Sequence, residues 1–271
     1  MTAERHTETS ADQINARYHA AIWLAREAGE RTLSRFQTAR LGTESKRDGT
    51  PVTLADRDAE KFLRERIAEE FPDDGVLGEE FGETQGTSGI RWILDPIDGT
   101  KAYICGVPLY GTLIAVEVHG IATLGVIELP ALNERVYGCL GQGALWQRGD
   151  KAPEAARVSA TGSLNEAVFC YTDDALFKKH GREQFLEVIK TRTKLCRGWN
   201  DCYSYALLAT GRCDVVADPV MELWDVAALA PIIREAGGRL TDFAGRDELG
   251  RECIASNGVI HNDVLTCARD I

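Results

Sequence analysis

The stretch that most constrains this chain is Trp92-Ile93-Leu94-Asp95-Pro96-Ile97-Asp98-Gly99-Thr100. A run of buried-strand residues ends in two carboxylates and a hydroxyl within six positions, punctuated by a proline and a glycine. Pro96 fixes its own φ and drives Asp95 into an extended conformation, so Asp95 finishes the strand while Ile97 and Asp98 turn a corner. Gly99-Thr100 then starts a short helix whose free N–H groups face any anion placed before them. Hard oxygen ligands beside an anion cradle point to Mg²⁺ ions bridging a phosphate. The same residues also suit a plain Asp-rich turn with Asp98 as a helix N-cap, so the rest of the chain has to choose between the two.

Two more acidic segments bear on that choice. In Gly78-Glu79-Glu80 the adjacent acids point to opposite sides of an extended chain, so only one of them can be a metal ligand. Asp225, in Trp224-Asp225-Val226-Ala227-Ala228, opens a helix and by itself reads as a helix-start acid. Taken together, D-P-x-D-G-T with G-E-E upstream and W-D-x-A-A downstream resembles the inositol monophosphatase family of Mg²⁺-dependent phosphomonoesterases. The resemblance runs from Lys46 to Thr241.

It implies a layered α-β-α-β-α sandwich, an α/β fold with an antiparallel sheet in the first half and a mixed sheet in the second, usually as a homodimer. Glu79, Asp95 and the Ile97 carbonyl would hold one ion and Asp95, Asp98 and Asp225 a second, with two or three Mg²⁺ per site; Glu80 stays outside the ligand set. The Gly99 and Thr100 amides would bind phosphate oxygens. Thr100 would stand beside the attacking water, its hydroxyl passing a proton toward Glu79 or Asp56. Packing at a helix start is the alternative for Thr100, a helix N-cap the alternative for Asp56. Lys46 matches a family lysine near the site, and a solvated surface lysine fits it equally.

The net charge of −11 argues against a nucleic-acid partner. It does not argue against a phosphate substrate, because bound cations reverse the local sign of an acidic site. At 271 residues the chain can form one large domain or two small ones. The eight cysteines form no C-x-x-C pair and mostly lie in apolar runs such as Ala167-Val168-Phe169-Cys170, so buried free thiols are expected rather than disulfides. No apolar stretch reaches the ~18 residues of a membrane span. The polar residues 1–12 show no hydrophobic signal region, so the expectation is a cytoplasmic protein with neither membrane nor nucleic-acid partner. The five histidines are scattered, and no His/Cys cluster supports zinc.

From Ser10, apolar Ile14, Tyr18, Ala21, Ile22, Ala25 and Ala28 recur at helical steps, a helix capped by Ser10 or Asp12 and ended by Gly42. Asp48-Gly49 suits a hairpin. A second helix is expected over 57–71, with Ala59, Phe62, Leu63, Ile67 and Phe71 on one face. Residues 81–89 read as a loop. Runs at 112–118 and 121–129 flank a His119-Gly120 turn, and 135–140 with 144–146 extend the antiparallel meander. A linker at 149–153 divides the chain into 1–148, an α+β half carrying the metal site, and 149–271, an α/β half carrying the last ligand and the substrate rim. In the second half, strands at 167–171, 213–217 and 239–242 alternate with helices at 182–190, 203–210 and 223–236.

Substrate identity rests on other residues. Asp201-Cys202-Tyr203-Ser204-Tyr205-Ala206-Leu207-Leu208, with Gly211 following, is similar to the D-C-Y-x-Y-A-L-L-x-x-G run of histidinol-phosphate phosphatases of the inositol monophosphatase type. The stretch 95–116 also resembles that subgroup. Ordinary members more often carry a small neutral residue in place of Asp201 and Glu in place of Asp218. Histidinol has an amine and an imidazole, both able to be cationic, and Asp201 and Asp218 would attract them; Asp98 and Asp225 would also touch substrate. As plainer alternatives, Asp201 suits a helix N-cap and Asp218 a turn before Pro219. The chain departs from the subgroup at Trp199-Asn200, where Gly is common, and at Met221-Glu222-Leu223, where Leu-Lys-Pro is more usual. The expected substrate is therefore a small phosphorylated metabolite, histidinol phosphate first and inositol monophosphate or another polyol phosphate second. A non-catalytic phosphate- or metal-binding regulator is the remote alternative.

Overall fold

The computed structural model describes residues 9–38, 42, 44–45, 51–199 and 201–269. Lys46, the Asp48-Gly49 turn, Asn200 and residues 1–8 of the polar N-terminal stretch lie outside the described residues.

In chain order, helix α1 (Ala11–Arg35) precedes the short pair β1 (Glu44–Ser45) and β2 (Pro51–Val52), then helix α2 (Leu54–Glu70). Strands β3 (Gly75–Gly78), β4 (Gly82–Thr84) and β5 (Ile90–Asp98) lead to the short helix α3 (Thr100–Ile104). A meander follows: β6 (Gly111–Val118), β7 (Ile121–Leu129), β8 (Glu134–Cys139), β9 (Gly143–Arg148) and β10 (Glu154–Ala155). Next come β11 (Val168–Tyr171), α4 (Asp174–Lys179), α5 (Glu183–Arg192), β12 (Leu195–Arg197), α6 (Asp201–Ala209) and β13 (Val215–Asp218). The described chain closes with α7 (Leu223–Val226), α8 (Leu229–Glu235), β14 (Arg239–Thr241), β15 (Cys253–Ser256) and α9 (His261–Arg269).

Ser10 starts α1 through a capping box in which its side chain accepts from Gln13 N and the Gln13 side chain accepts from Ser10 N. The apolar stripe buries Tyr18, Ala21, Leu24, Ala25 and Ala28 against the first sheet. The helix ends at Arg35 with Phe36 as cap, earlier than Gly42. Thr53, and not Asp56, caps α2: Asp56 is the third helical residue and accepts from the Thr53 amide at 2.8 Å and hydroxyl at 2.6 Å. Threonine three positions before a carboxylate makes the same reciprocal pair as a Ser/Glu box, and that pair places the start of α2 three residues earlier than expected.

Among the described residues, the first sheet runs β10-β9-β8-β7-β6-β5-β3-β4 and the second β12-β11-β13-β15-β14. The first is antiparallel as expected, except that β3 and β5 run parallel. The second is mixed, with β11 parallel to β12 and β13, and β15 antiparallel to its neighbours. His119 and Gly120, both at positive φ, make the β6–β7 turn. Part of the expected 81–89 loop is strand, because β4 pairs with β3 at the sheet edge.

Five layers result. Helices α1 and α2 cover one face of the first sheet, α6 and α8 fill the space between the sheets, and α4, α5 and α9 cover the far face of the second sheet with Phe177, Phe185, Ile189 and Val264. The helix expected over 223–236 is broken into α7 and α8. Pro231 lacks the N–H that would bond the Ala227 carbonyl and its ring crowds that group, which ends one helix and starts the next. The break brings backbone close to backbone: a Cβ on Gly125 of β7 would lie 2.0 Å from the Ala228 oxygen. All eight cysteines are free, and six are buried. Among the described residues no helix is long and apolar enough to cross a membrane.

Candidate active site

Strand β5 delivers the central carboxylates. Its ladder with β6 shifts register between Asp95 (opposite Leu113) and Asp98 (opposite Gly111), a bulge at Pro96, which has no N–H to give the ladder. The freed Pro96 carbonyl accepts from the Thr112 hydroxyl at 2.8 Å, and Asp95 Oδ1 accepts from the Ile97 amide at 3.0 Å, so the corner is internally bonded. Gly99 follows at φ 86°, where a Cβ would be strained and would lie 3.0 Å from Asp201 Oδ2. Asp98 is therefore not the cap of α3; it accepts a hydrogen bond from the Cys202 amide at the start of α6.

Asp95, Asp98 and Asp225 each offer an oxygen within 4.8 Å of the others. Asp225 is fixed by accepting the Glu222 amide at 2.7 Å, the reciprocal half of a capping box on α7. Glu79 leaves β3 beside β5, its amide bonded to the Leu94 carbonyl and its carboxyl close enough to Asp95 to disfavour the charge there. The bend at Glu79 is held from below by Glu60, which is fully buried and accepts the Glu80 and Phe81 amides at 2.8 and 3.2 Å. Gly78 leaves room for that carboxylate; a Cβ there would lie 2.1 Å from Glu60 Oε1. Thr100 donates its hydroxyl to the Ile97 carbonyl at 3.1 Å.

The electrostatics are those of an array of like charges. Burial, then Glu79, Asp98 and Asp225, push Asp95 well above the usual carboxylate range. Burial, then Asp201 and Asp225, do the same to Asp98. Burial, with Glu79 and Asp201 adding to it, raises Asp225 to about 7 despite the Glu222 amide. Asp56 is raised to about 6, chiefly by burial, and among the described residues its buried Oδ1 has no hydrogen-bond partner. Carboxylates stacked this way are stable as anions only beside cations. Hard oxygens, no imidazole or thiolate in the cluster among the described residues, and the bare Asp56 oxygen near Glu79 together fit Mg²⁺.

Glu79, Asp95, Ile97, Asp98, Gly99, Thr100, Asp201 and Asp225 line one cavity of about 190 Å³, with Lys101, Thr172 and Leu176. Asp56 is not on its wall. Asp218, 6% exposed, lines an adjoining compartment of about 80 Å³ that shares Asp98, Thr172, Leu176, Asp201 and Asp225 and adds Tyr205 and Met221. Three of these wall residues escaped the sequence reading. Lys101 follows the recognised motif and was legible by position. Leu176 sits on α4, a six-residue helix with one fully buried side chain, and Thr172 depends on sheet register.

A sequence profile of the inositol monophosphatase family matches residues 14–270. The chain belongs to the inositol monophosphatase family. It is 40% identical over 247 residues to a histidinol-phosphatase of Chlorobaculum parvum, covering 90% of this chain and 93% of the relative. It is also 40% identical over 248 residues to the histidinol-phosphatase of Mycobacterium tuberculosis, covering 91% and 95%. The solved structure of an IMPase of Thermotoga maritima superposes with a TM-score of 0.84 at 31% identity, covering 94% of this chain and 97% of that one.

Proposed function

We propose that this family member is a Mg²⁺-dependent phosphomonoesterase that hydrolyses histidinol phosphate to histidinol and inorganic phosphate in the cytoplasm. The observation that supports it best is the adjoining compartment, whose walls carry Asp98, Asp201, Asp218 and Asp225 and, among the described residues, no lysine or arginine. An acid-lined space next to a phosphate site suits a leaving group that carries positive charge. In this reading the half 1–148 supplies Glu79, Asp95, the Ile97 carbonyl and Asp98, and the half 149–271 supplies Asp225 and the acids facing the leaving group. Homodimer formation is the expectation that family membership brings.

Mg²⁺ held by these oxygens supplies Lewis acidity to the phosphoryl group and to an attacking water. The chain's own groups do the rest. The Gly99 and Thr100 amides would bind the phosphate oxygens; α3 has only five residues, so directed N–H bonds would act there and a helix dipole would add little. Thr100 orients the water and relays its proton toward Glu79, with Asp56 behind. The water oxygen bonds to phosphorus, the ester P–O bond breaks, and the departing alkoxide takes up a proton.

The test is kcat/KM for histidinol phosphate and for glycerol phosphate in Asp201→Asn and Asp218→Asn. A charge-assisted contact is worth ~1.5–3 kcal/mol, so the ratio of the two values should fall about tenfold or more. An equal fall for both substrates refutes the cationic-substrate reading and leaves a neutral polyol phosphate such as inositol monophosphate as the better substrate.

A further inference from the structure

Asp218 is a buried carboxylate to which, among the described residues, no lysine, arginine or histidine is paired. Its two oxygens accept instead from two hydroxyls: Thr172 Oγ1 donates to Oδ1, and the Tyr205 hydroxyl donates to Oδ2 at 2.8 Å. The three groups come from separate elements. Strands β11 and β13 run parallel with Tyr171 opposite Ala217, so the next residues, Thr172 and Asp218, emerge side by side at the carboxyl ends of the strands. That edge of a sheet is where open α/β folds place ligands. Tyr205 is fully buried between the sheets, four residues after Asp201 on α6, so both side chains lie on the helix face turned toward the compartment.

We propose that Thr172 and Tyr205 form a two-hydroxyl clamp that fixes the Asp218 carboxylate to receive the ammonium group of the substrate, which makes them specificity-determining positioning residues. A carboxylate has about four acceptor sites, and the clamp uses two. The remaining two are left for N–H donors in the compartment. A lysine or arginine in place of the hydroxyls would neutralise Asp218 and remove its attraction for a cation; two neutral donors fix its rotamer and leave its charge unspent. Burial raises Asp218 above the usual carboxylate range on balance, and the two hydroxyl bonds work against it by favouring the charged form. Val220 and Met221 complete the apolar side of the compartment wall and also line a neighbouring cavity of about 760 Å³.

The clamp rests on the cationic-substrate reading, and the experiment separates the two. Tyr205→Phe and Thr172→Val each delete one hydroxyl while keeping the shape; Thr172→Ser returns the hydroxyl. Steady-state kinetics on Mg²⁺-loaded enzyme with histidinol phosphate and glycerol phosphate give KM, kcat and the selectivity ratio, and Asp218→Asn is measured alongside. The expected result is a KM for histidinol phosphate raised roughly fivefold in Tyr205→Phe and in Thr172→Val, a selectivity ratio lowered by the same factor, and recovery in Thr172→Ser. A selectivity ratio that falls in Asp218→Asn but holds in both hydroxyl variants overturns the clamp and leaves the cationic-substrate reading standing. Losses equal for the two substrates, located in kcat, mean that Thr172 and Tyr205 only support the fold, and overturn it too. A ratio that holds in Asp218→Asn itself removes the underlying reading and the clamp with it.

Discussion

Gly125→Ala tests how the α7–α8 junction positions Asp225, the ligand proposed from residues 149–271, against the carboxylates of β5. The added Cβ would stand 2.0 Å from the Ala228 carbonyl oxygen and 2.7 Å from its carbon. Both are backbone atoms, so no side-chain rotation relieves the overlap. Restoring 3.4 Å, the near edge of ordinary contact, requires the α7–α8 junction or β7 to retreat by about 1.4 Å. β7 is hydrogen-bonded on both sides, to β6 and β8, so the junction is the softer partner. Overpacking against a fixed neighbour typically costs ~1–3 kcal/mol, and the backbone overlap puts this site near roughly 3 kcal/mol. For a chain of 271 residues that corresponds to a Tm lower by about 5 °C. Asp225 stands three residues before Ala228, and a displacement of order 1 Å in a reacting group costs about 10²-fold in rate. Thermal unfolding and phosphate release at saturating Mg²⁺ read the two effects. Gly138→Ala is the internal control, because its Cβ would sit 3.3 Å from Ile232 Cα on the same helix and should cost well under half as much. An unchanged Tm in Gly125→Ala, or a loss no larger than that of Gly138→Ala, refutes the argument.

Gly78→Ala places a Cβ 2.1 Å from Glu60 Oε1 and should displace the carboxylate that holds the Glu79 bend; weakened Mg²⁺ binding by calorimetry, with turnover lost, is the expected result, and unaltered binding counts against it. Thr100→Val deletes the hydroxyl but keeps the shape, so kcat should drop with little change in KM; an unchanged kcat reduces Thr100 to packing. Burial, with Arg239 adding to it, holds the His261 imidazole down at about 4, against ~6.5 when unfolded. Between those two values the unfolded chain binds the extra proton, so stability falls as pH drops from about 6.5 to 4, by up to roughly 3 kcal/mol. Denaturant unfolding of His261→Gln against the parent should show a shallower fall across that window, and parallel pH profiles would rule the linkage out.

The elements visible from sequence were those whose signal is local. The D-P-x-D-G-T corner, the His119-Gly120 turn and the α1 stripe each carry their own backbone instruction, and the structure has all three. What escaped depends on distant partners. β4 and β12, three residues each, are strands only because a neighbour pairs with them, and α9 has a short apolar face that gains meaning against Phe185 and Phe243. The Thr53 cap was missed because Asp56, three residues on, looks equally competent until the reciprocal bond is seen. The break between α7 and α8 was legible in Pro231. At the site, the spacing of Asp95, Asp98 and Gly99 was local, whereas Thr172 joins Asp218 through the β11–β13 register, which a single strand's residues do not encode.

A cation held by buried carboxylates is what the proposed activity requires above all. The most direct measurement is a calorimetric Mg²⁺ titration of the parent protein and of Asp95→Asn, with phosphate release from histidinol phosphate followed in the same samples before and after chelation. Asp95 is 2% exposed and faces three like charges, so its neutralisation should leave the Tm equal or higher while weakening Mg²⁺ binding and removing most turnover. In the parent, chelation should abolish release and Mg²⁺ should restore it. Full turnover in chelated enzyme, or in Asp95→Asn, would contradict the account.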